Sequence, residues 1–287
     1  MQTHLDCIPC FLHQSLEAAR MAVDDEILNE QVMKEVMKYL LTIDFSFSPP
    51  EISKEVHRII KQVTGVNDPY ITVKKKANEH AKNQIPILQK MIEDSDDALL
   101  MAAKLSIIGN VVDFGTINRF NVEEMIDNIA HKPFDHKGYA VFKKRLENAS
   151  SILYLADNTG EVIFDFLLIE QLAKMKKNIT YVVKSNPIIN DATEDDALFA
   201  GIDRYATIMK GDDGQTFSSP GMVLKYGSDE FLDALDAADM VISKGQGNYE
   251  SLSMVNREVF FLLMVKCPLV ANDIGIDVGT MVLKVKS

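Results

Sequence analysis

The chain is poor in cysteine and has no long hydrophobic segment. Its 287 residues include three cysteines, at positions 7, 10 and 267. This odd number argues against a disulfide framework, because such frameworks pair their cysteines in secreted domains. The longest apolar runs, such as 259–265, are too short to cross a bilayer. The first residues also lack the basic-then-apolar pattern of a signal peptide, so we expect a globular, cytoplasmic protein.

Positive charge is scarce as well. The sequence has 30 lysines and arginines against 42 aspartates and glutamates, and its net charge is −12. A nucleic-acid-binding protein usually carries a basic face, and the nearest candidate is the run Lys74-Lys75-Lys76. That run lies in a helical pattern and is expected to be a solvated helix face. We therefore expect neither a nucleic-acid nor a membrane partner. A small anionic substrate is still compatible with this charge, since a bound dication reverses the local field.

Strand patterns are missing from the first 145 residues. Ser48 followed by two prolines is typical of a helix N-terminus, and Gly65 ends the apolar pattern that follows. Helices are predicted over 11–23, 26–41, 49–64, 96–108 and 137–148. We therefore expect an all-helical N-terminal region over residues 1–148.

The periodicity changes after residue 150. Short apolar runs at 152–156, 179–183, 205–209, 240–242 and 260–265 alternate with helical patterns, and a further strand is predicted at 268–271. Alternating strands and helices indicate βαβ units and a parallel sheet. Residues 149–287 are therefore predicted to form an α/β domain that binds its ligand outside the carboxyl ends of the strands.

Polar residues follow three of these strands. The three loops are Asp157-Asn158-Thr159-Gly160-Glu161, then Lys184-Ser185-Asn186 with Asn190-Asp191 shortly after it, and Lys244-Gly245-Gln246-Gly247-Asn248. Each loop alone has an ordinary explanation, because Asp, Asn and Gly are common in turns and helix caps. The carboxyl ends of parallel strands lie at one edge of a sheet, so the three loops together predict a single site.

Histidine is absent from this half of the chain, since all six histidines precede residue 150. A metal held there by the domain's own residues would have mostly oxygen ligands, which favours hard dications such as Mg²⁺ or Mn²⁺. Mg²⁺ typically binds one or two carboxylates and keeps positions for water and substrate phosphate. Asp157, Asn158 and Asp191 fit this pattern and are the predicted metal ligands and catalytic residues.

Groups beside these acids favour a phosphate ester as the ligand. Gly160 has no side chain where a helix is predicted to begin, so phosphate oxygens could approach the backbone N–H groups of that helix. Lys184 and Lys244 add cations at two neighbouring strand ends. Glu161 and Asn186 lie in the same loops and complete the set expected to contact the substrate.

These segments also resemble the metal-dependent damage-control phosphatase family. Besides the three strand-end loops, the matching segments are Gly109-Asn110-Val111-Val112-Asp113-Phe114-Gly115 and Cys7-Ile8-Pro9-Cys10. The resemblance covers nearly the whole chain, and the cysteine pair suggests the compact prokaryotic branch. It implies a Rossmann-like, three-layer α/β/α domain with a mainly parallel sheet, preceded by a helical region.

The resemblance also implies an activity and roles for residues. Members hydrolyse phosphate monoesters, often sugar phosphates or damaged phosphometabolites, with a divalent metal. The family's metal ligands correspond to Asp157, Asn158 and Asp191, and its phosphate-contacting lysine corresponds to Lys244. From the sequence alone Asn110 follows a helix end marked by Gly109. The family pattern instead places Asn110 and Asp113 at the rim of the site.

The cysteine pair has two readings. Cys7 and Cys10 could bind a second metal or carry out redox chemistry, and His4 and His13 are near enough in sequence to complete four ligands. The alternative is a pair of buried thiols at the start of an apolar helix. The sequence leaves both readings open.

We expect a metal-dependent phosphatase acting on a small phosphorylated metabolite, with Mg²⁺, Mn²⁺, Co²⁺ or Ni²⁺ as its cofactor. The attacking group is either a metal-activated water or a carboxylate, for which Asp157 is the candidate. One alternative is an S-adenosylmethionine-dependent carboxyl methyltransferase, although the first strand-end loop has one glycine where Gly-x-Gly-x-x-Gly needs three. Another is a non-catalytic protein that binds phosphometabolites. The sequence names neither the substrate nor the oligomeric state, and an oligomer is compatible with it.

Overall fold

A six-stranded sheet forms the centre of the described chain. The computed structural model describes residues 1–109, 134, 136–215 and 217–286. The strands are β1 (Ser151–Leu155), β2 (Asn178–Val183), β3 (Thr207–Lys210), β4 (Met240–Lys244), β5 (Val259–Met264) and β6 (Met281–Lys286). Their order in the sheet is β3-β2-β1-β4-β5-β6. All neighbouring pairs are parallel except β5 and β6, which are antiparallel.

Twelve α-helices accompany the sheet in the described residues. Those before it are α1 (Cys7–Ala22), α2 (Glu26–Leu40), α3 (Pro49–Thr64), α4 (Ile71–Lys82), α5 (Ile85–Glu93), α6 (Ala98–Ile108) and α7 (His136–Asn148). Those within the α/β part are α8 (Glu161–Lys174), α9 (Glu194–Ala200), α10 (Asp229–Ala237), α11 (Gln246–Leu252) and α12 (Pro268–Ile274). This confirms the predicted class, a mainly parallel α/β fold preceded by helices.

The helices divide among three apolar clusters. One face of the sheet packs on buried side chains of α4 to α9, and the other face packs on α10, α11 and α12. Helices α1, α2 and α3 enclose a separate cluster of their own. Helices α4 to α7 therefore precede the sheet in sequence but share its core, while the predicted boundary at residue 148 lies just before β1.

Local sequence signals account for several helix ends. Ser48 and Glu51 form a reciprocal capping box at the start of α3, and Gly65 ends the helix in the left-handed conformation that glycine adopts at low cost. Ser228 caps α10 by accepting a hydrogen bond from the Phe231 N–H. These caps satisfy backbone groups that the helices cannot pair internally.

Near the C-terminus one predicted strand is a helix in the structure, and one strand was not predicted. Residues 268–271, predicted as a strand, lie in α12, because proline is well suited to the first turn of a helix and Pro268 occupies that turn. Strand β6 has no counterpart among the predictions. It pairs antiparallel with β5 along six residues.

The strand order fixes where a ligand can bind. β1 lies between β2 and β4, and the helix after β1 (α8) packs on one face of the sheet while the helix after β4 (α11) packs on the other. The place where the strand order reverses in this way is called the switch point. In open α/β sheets the usual ligand site is the crevice outside the carboxyl ends of the strands at the switch point. The loops after β1, β2 and β4 meet at this point.

Among the described residues no helix is both long and apolar enough to cross a membrane.

Two adjacent residues of α5 provide a test of the shared core. Leu88 is completely buried in the cluster under the sheet, whereas Ile87 is 44% exposed. We expect Leu88→Ala to lower the free energy of unfolding by about 2–5 kcal/mol, since it leaves a cavity in the core. The matched variant Ile87→Ala should change it by less than about 0.5 kcal/mol. Chemical denaturation measures both, and equal effects would contradict the proposed packing of α5.

Candidate active site

Asp157 and Asp191 are held together by the backbone of their two loops. The Ala192 N–H donates to the Asp157 carbonyl over 2.8 Å, and Asn158 and Asp191 form an isolated antiparallel bridge. The Thr159 N–H also donates to the Asn190 carbonyl at 2.8 Å. Asp157 and Asp191 are both buried. The loops after β1 and β2 thus bring two carboxylates to one place at the switch point.

The Asp157 carboxylate fits closely against the loop after β4. Gly245 has a positive φ of 76°, and a Cβ at this position would overlap the Asp157 carboxylate. Glycine is therefore required here for both conformation and space. The Asn158 amide group donates to Asp157 Oδ2 at 2.7 Å, which leaves the amide oxygen available for another partner.

Asn248 ties the surrounding loops together. Its Nδ2 donates to the Ala156 carbonyl at 2.9 Å and to the Lys244 carbonyl at 2.8 Å. Its Oδ1 accepts from the Met222 N–H at 2.6 Å. One completely buried side chain thereby fixes the ends of β1 and β4 relative to the 221–222 segment.

Lys184 is the ammonium group beside Asp191. Its Nζ donates to the Gly221 carbonyl at 2.5 Å and lies 3.8 Å from Asp191 Oδ2. Burial raises the pKa of Asp191 to about 6, although Lys184 and the Gly221 N–H oppose this rise. Burial likewise lowers the pKa of Lys184, while Asp191 acts in the opposite sense. The carboxylate is thus incompletely compensated by its neighbours.

Lys244 has a different environment from the one expected of a phosphate contact. It is fully buried, and its Nζ lies 2.5 Å from Glu161 Oε1 and 2.7 Å from Asp165 Oδ1. It also donates to the Ser106 carbonyl at 2.9 Å. Burial opposes the charge on Lys244, but Asp165 and Glu161 together raise its pKa. In this structure three protein acceptors surround the ammonium, and the assignment of Lys244 to phosphate binding stays a prediction.

Glu161 connects that buried ion cluster to the loop that contains Asp157 and Asn158. Its Oε2 accepts from the Asn158 N–H at 3.2 Å while Oε1 accepts from Lys244. Burial raises the pKa of Glu161 to about 8, although Lys244 opposes the rise. Asp165, which the sequence did not single out, also accepts hydrogen bonds from the hydroxyl groups of Tyr154 and Tyr181.

Helix α4 reaches the same loops from the helical part of the chain. Asn78 Oδ1 accepts from the Gly160 N–H at 2.8 Å, and Asn78 Nδ2 donates to Asp196 at 2.7 Å. The Gly160 N–H, expected to face a phosphate, therefore has a protein partner here. The expectation that 74–76 is a solvated face was wrong for Lys74, which is buried, while Lys75 and Lys76 are exposed. The sequence signal that was missed is the i, i+4 spacing of Lys74 and Asn78.

The remaining predicted residues are Asn186, Asn110 and Asp113. Asn186 is in the loop after β2, where its N–H donates to Ser218 and its amide group donates to the Gly214 carbonyl. Asn110 and Asp113 lie outside the described residues. The roles assigned to all three stay predictions.

All three cysteines line one cavity of about 640 Å³ between the helical part and the ends of β4 and β5. Cys7, Cys10 and Cys267 are free thiols. Burial raises the pKa of Cys7 and Cys10, which disfavours the thiolate forms that bind metals. Within residues 1–109, 136–215 and 217–286 no group of three or more His, Cys, Asp or Glu side chains is placed to hold a metal ion. The role of Cys7 and Cys10 as a second metal or redox site stays a prediction.

The Asp157 loop nevertheless has features that suit a divalent cation. Its donor set consists of two buried carboxylates and the Asn158 amide oxygen, which are the hard ligands that Mg²⁺ and Mn²⁺ prefer. Thr159 Oγ1 is buried and has no hydrogen-bond partner among the described residues. Lys184 already lies beside Asp191, and a dication held by Asp157 and Asp191 would neutralise the buried negative charge further.

Comparison with known proteins identifies the family of this chain. Residues 3–282 match the domain family described as "Damage-control phosphatase ARMT1-like domain". The chain belongs to this damage-control phosphatase family. A solved structure of a DUF89 family protein from Pyrococcus horikoshii, PH1575, superposes with a TM-score of 0.91 at 30% identity, and the match covers 100% of both chains.

Relatives of the family in two other archaea cover almost the same length. A damage-control phosphatase from Archaeoglobus fulgidus is 35% identical over 285 residues, which are 97% of each chain. The uncharacterized protein MJ0202 of Methanocaldococcus jannaschii is also 35% identical, over 97% of this chain and 93% of its own. The family match thus spans both the helical part and the α/β part.

The lysines that end β3 and β4 provide a test of the buried ion cluster. Lys244 ends β4 between Glu161 and Asp165, and Lys244→Met would leave those carboxylates uncompensated. We expect it to lower the free energy of unfolding by about 3–5 kcal/mol. The control is Lys210→Met at the end of β3, where the lysine pairs with Glu194 in solvent. This change should have little effect in chemical denaturation, since exposed ion pairs contribute little.

If Lys244→Met unfolds at the same denaturant concentration as the wild type, the ion pairs of Lys244 with Glu161 and Asp165 do not stabilise the fold.

Proposed function

We propose that this protein is a divalent-metal-dependent phosphatase that hydrolyses small phosphate monoesters, such as sugar phosphates or damaged phosphometabolites. The observation that supports it best is the joining of Asp157 and Asp191 at the switch point by the 2.8 Å hydrogen bond from Ala192 to Asp157. Two desolvated carboxylates beside the Lys184 ammonium suit a cation and a phosphoryl group together. Membership of a phosphatase family favours the same chemistry.

In the proposed reaction water replaces the organic group on phosphorus. The bond between phosphorus and the ester oxygen breaks, an oxygen of water bonds to phosphorus, and the leaving oxygen receives a proton. When bound, the metal would polarise a phosphate oxygen and neutralise developing charge. Asp157, Asn158 and Asp191 would hold it. Lys184 would hold a phosphoryl oxygen by a charge-assisted hydrogen bond.

The chain's own contacts would keep these groups in place before substrate arrives. Asn248 fixes the loops after β1 and β4, and Gly245 leaves room for the Asp157 carboxylate. Asn78 holds the Gly160 N–H at the start of α8. Such preorganisation matters because electrostatic groups contribute most when they need not rearrange during the reaction.

Neutral substitutions of the two carboxylates test the proposal. Asp157→Asn and Asp191→Asn keep the side-chain shape but remove the charges that a metal requires. We expect each to lower kcat/KM for phosphate-ester hydrolysis by about 10²-fold or more, comparable to the loss of a charge-stabilising group. Asp195→Asn is the control, since Asp195 is exposed in α9. This variant should hydrolyse phosphate esters with the kcat/KM of the wild type. Phosphate release from a panel of sugar and nucleotide phosphates gives the readout.

Metal binding provides a second readout that does not require knowledge of the substrate. Mg²⁺, Mn²⁺, Co²⁺ or Ni²⁺ should raise the Tm of the wild type and of Asp195→Asn, because a ligand that binds only the folded state stabilises it. The increase should be lost in Asp157→Asn and Asp191→Asn. Hydrolysis that survives complete chelation would overturn the metal dependence. Binding of phosphate esters without release under any metal would favour a non-catalytic binding protein.

A further inference from the structure

The cavity lined by the three cysteines shares two loops with the candidate active site. Ile189 lines it from the loop after β2, two residues before Asp191, and Gly247 lines it from the loop after β4. Pro220 also lines it and precedes Gly221, whose N–H donates to Asp191 Oδ2 at 3.3 Å. A ligand in this cavity would therefore lie next to the loops that carry the candidate metal ligands.

Much of the remaining wall of the cavity comes from helices α1, α3 and α12. It contains Phe11, Pro50 and Leu269, and amide-bearing residues such as Gln14 lie among them. Small-molecule sites are typically lined in this way, by many apolar side chains and a few polar groups. The cavity volume of about 640 Å³ also lies within the range of about 300–1,000 Å³ that is common for such sites. Its size and chemistry suit a bulky, partly apolar organic group.

Ile189 occupies its place in this wall with a strained backbone. Its φ is 46°, in a region that β-branched residues rarely adopt. Among the residues that the structure describes, Lys176 is the only other non-glycine residue with a positive φ. Such conformations persist where the surrounding structure enforces them, and they cluster at functional sites. Glycine would adopt this backbone more easily, so an isoleucine kept at this position of the cavity wall is evidence of a role in binding.

The cavity has no excess of positive charge. Among the described residues its wall contains one lysine, Lys266, and two acids, Asp6 and Glu250. A phosphate dianion would find its cation elsewhere, at Lys184, whose Nζ lies 3.8 Å from Asp191 Oδ2. The phosphoryl group and the organic group of one ester would thus occupy neighbouring places of different chemistry.

We propose that this cavity binds the organic group of the substrate and that Ile189 contacts that group. This inference rests on the proposed phosphatase function, and it narrows the substrates to phosphate esters of bulky, partly apolar alcohols. A triose or pentose would fill only a small part of the cavity. The rival is a cavity that merely separates the helical part from the sheet and has no part in the reaction.

Two aryl phosphates with similar leaving groups test the cavity. Phenyl phosphate and 1-naphthyl phosphate differ mainly in the apolar area of the organic group, so the ratio of their kcat/KM values reports how that area is bound. With Mn²⁺ we expect the full chain to hydrolyse 1-naphthyl phosphate with a kcat/KM about 10-fold higher, as is typical of added apolar contact in a pocket. Equal values for the two esters in the wild type would overturn the proposal.

Ile189→Gly and Lys176→Gly form a matched pair, because both replace a residue at positive φ. Ile189→Gly should bring the ratio of kcat/KM for the two esters close to one, while Lys176→Gly, in the exposed turn before β2, should keep the ratio of the wild type. Glycine tolerates this backbone, so both variants should fold, and thermal unfolding checks this. The ratio of the wild type in Ile189→Gly would overturn the role of Ile189 in binding.

A tryptophan in the wall provides the converse test. Leu269→Trp should fill part of the cavity and lower the preference for 1-naphthyl phosphate about 10-fold. The control is Leu198→Trp in α9, since Leu198 is 49% exposed and does not line the cavity. Equal ratios in the two variants would contradict binding of the organic group beside Leu269.

Cys10 gives a readout that does not require hydrolysis. It is exposed and lines the cavity, so 1-naphthol, the alcohol released from the larger ester, should slow its alkylation by iodoacetamide. Tandem mass spectrometry locates the modified thiol. Protection should be weaker in Leu269→Trp than in Leu198→Trp, and absence of protection in the wild type would overturn the cavity as the binding site. If no ester is hydrolysed with any metal, the proposed function fails, and protection of Cys10 still decides whether the cavity binds such a group.

Discussion

The arrangement of this protein depends on how charge is buried at the carboxyl edge of β1, β2 and β4. A charge removed from water must be paired, or its pKa shifts until it is neutral. In the deeper cluster Lys244 contacts two carboxylates and a carbonyl, and the hydroxyl groups of Tyr154 and Tyr181 also donate to Asp165. In the shallower cluster Lys184 lies 3.8 Å from Asp191, and the Asn158 amide group donates to Asp157. The same edge therefore holds one group of charges that is enclosed by protein contacts and, beside it, the two acids at which we propose that a cation and a ligand bind.

The helices that precede the sheet take part in both clusters. The Ser106 carbonyl at the end of α6 accepts a hydrogen bond from Lys244, and Asn78 in α4 holds the start of α8. Because α4 to α7 also share the apolar core under the sheet, their position is fixed by the packing that forms the fold. Helices α4 to α7 therefore belong structurally with the α/β part of the chain. Only α1 to α3, among the described helices, enclose an apolar core of their own.

The sequence predicted the features that depend on local patterns. Alternating strands and helices indicated the parallel sheet, and the loops at 157–161 and 190–191 were expected to meet because parallel strands end on one edge. Local patterns could not predict the environment of Lys244, since that environment depends on Asp165. Asp165 lies within α8, and its position in the sequence is that of an ordinary helix residue. Lys74 was misjudged because three consecutive lysines resemble a solvated face, and only the packing of α4 against the site loops separates the first from the other two. The helix at Pro268 was missed because its apolar residues fit a short strand equally well.

The lysines at the strand ends show that position in the sequence does not determine the environment of a side chain. Lys184 follows β2, Lys210 ends β3 and Lys244 ends β4, and in sequence all three look alike. Strand order separates them, because β3 is an edge strand and Lys210 pairs with Glu194 in solvent. β4 is the neighbour of β1 at the switch point, so Lys244 is enclosed beneath the loops. β2 lies on the other side of β1, where Lys184 comes to rest beside Asp191. The reversal of strand order at β1 thus determines which of these charges is solvated, which is structural and which lies beside the candidate metal ligands.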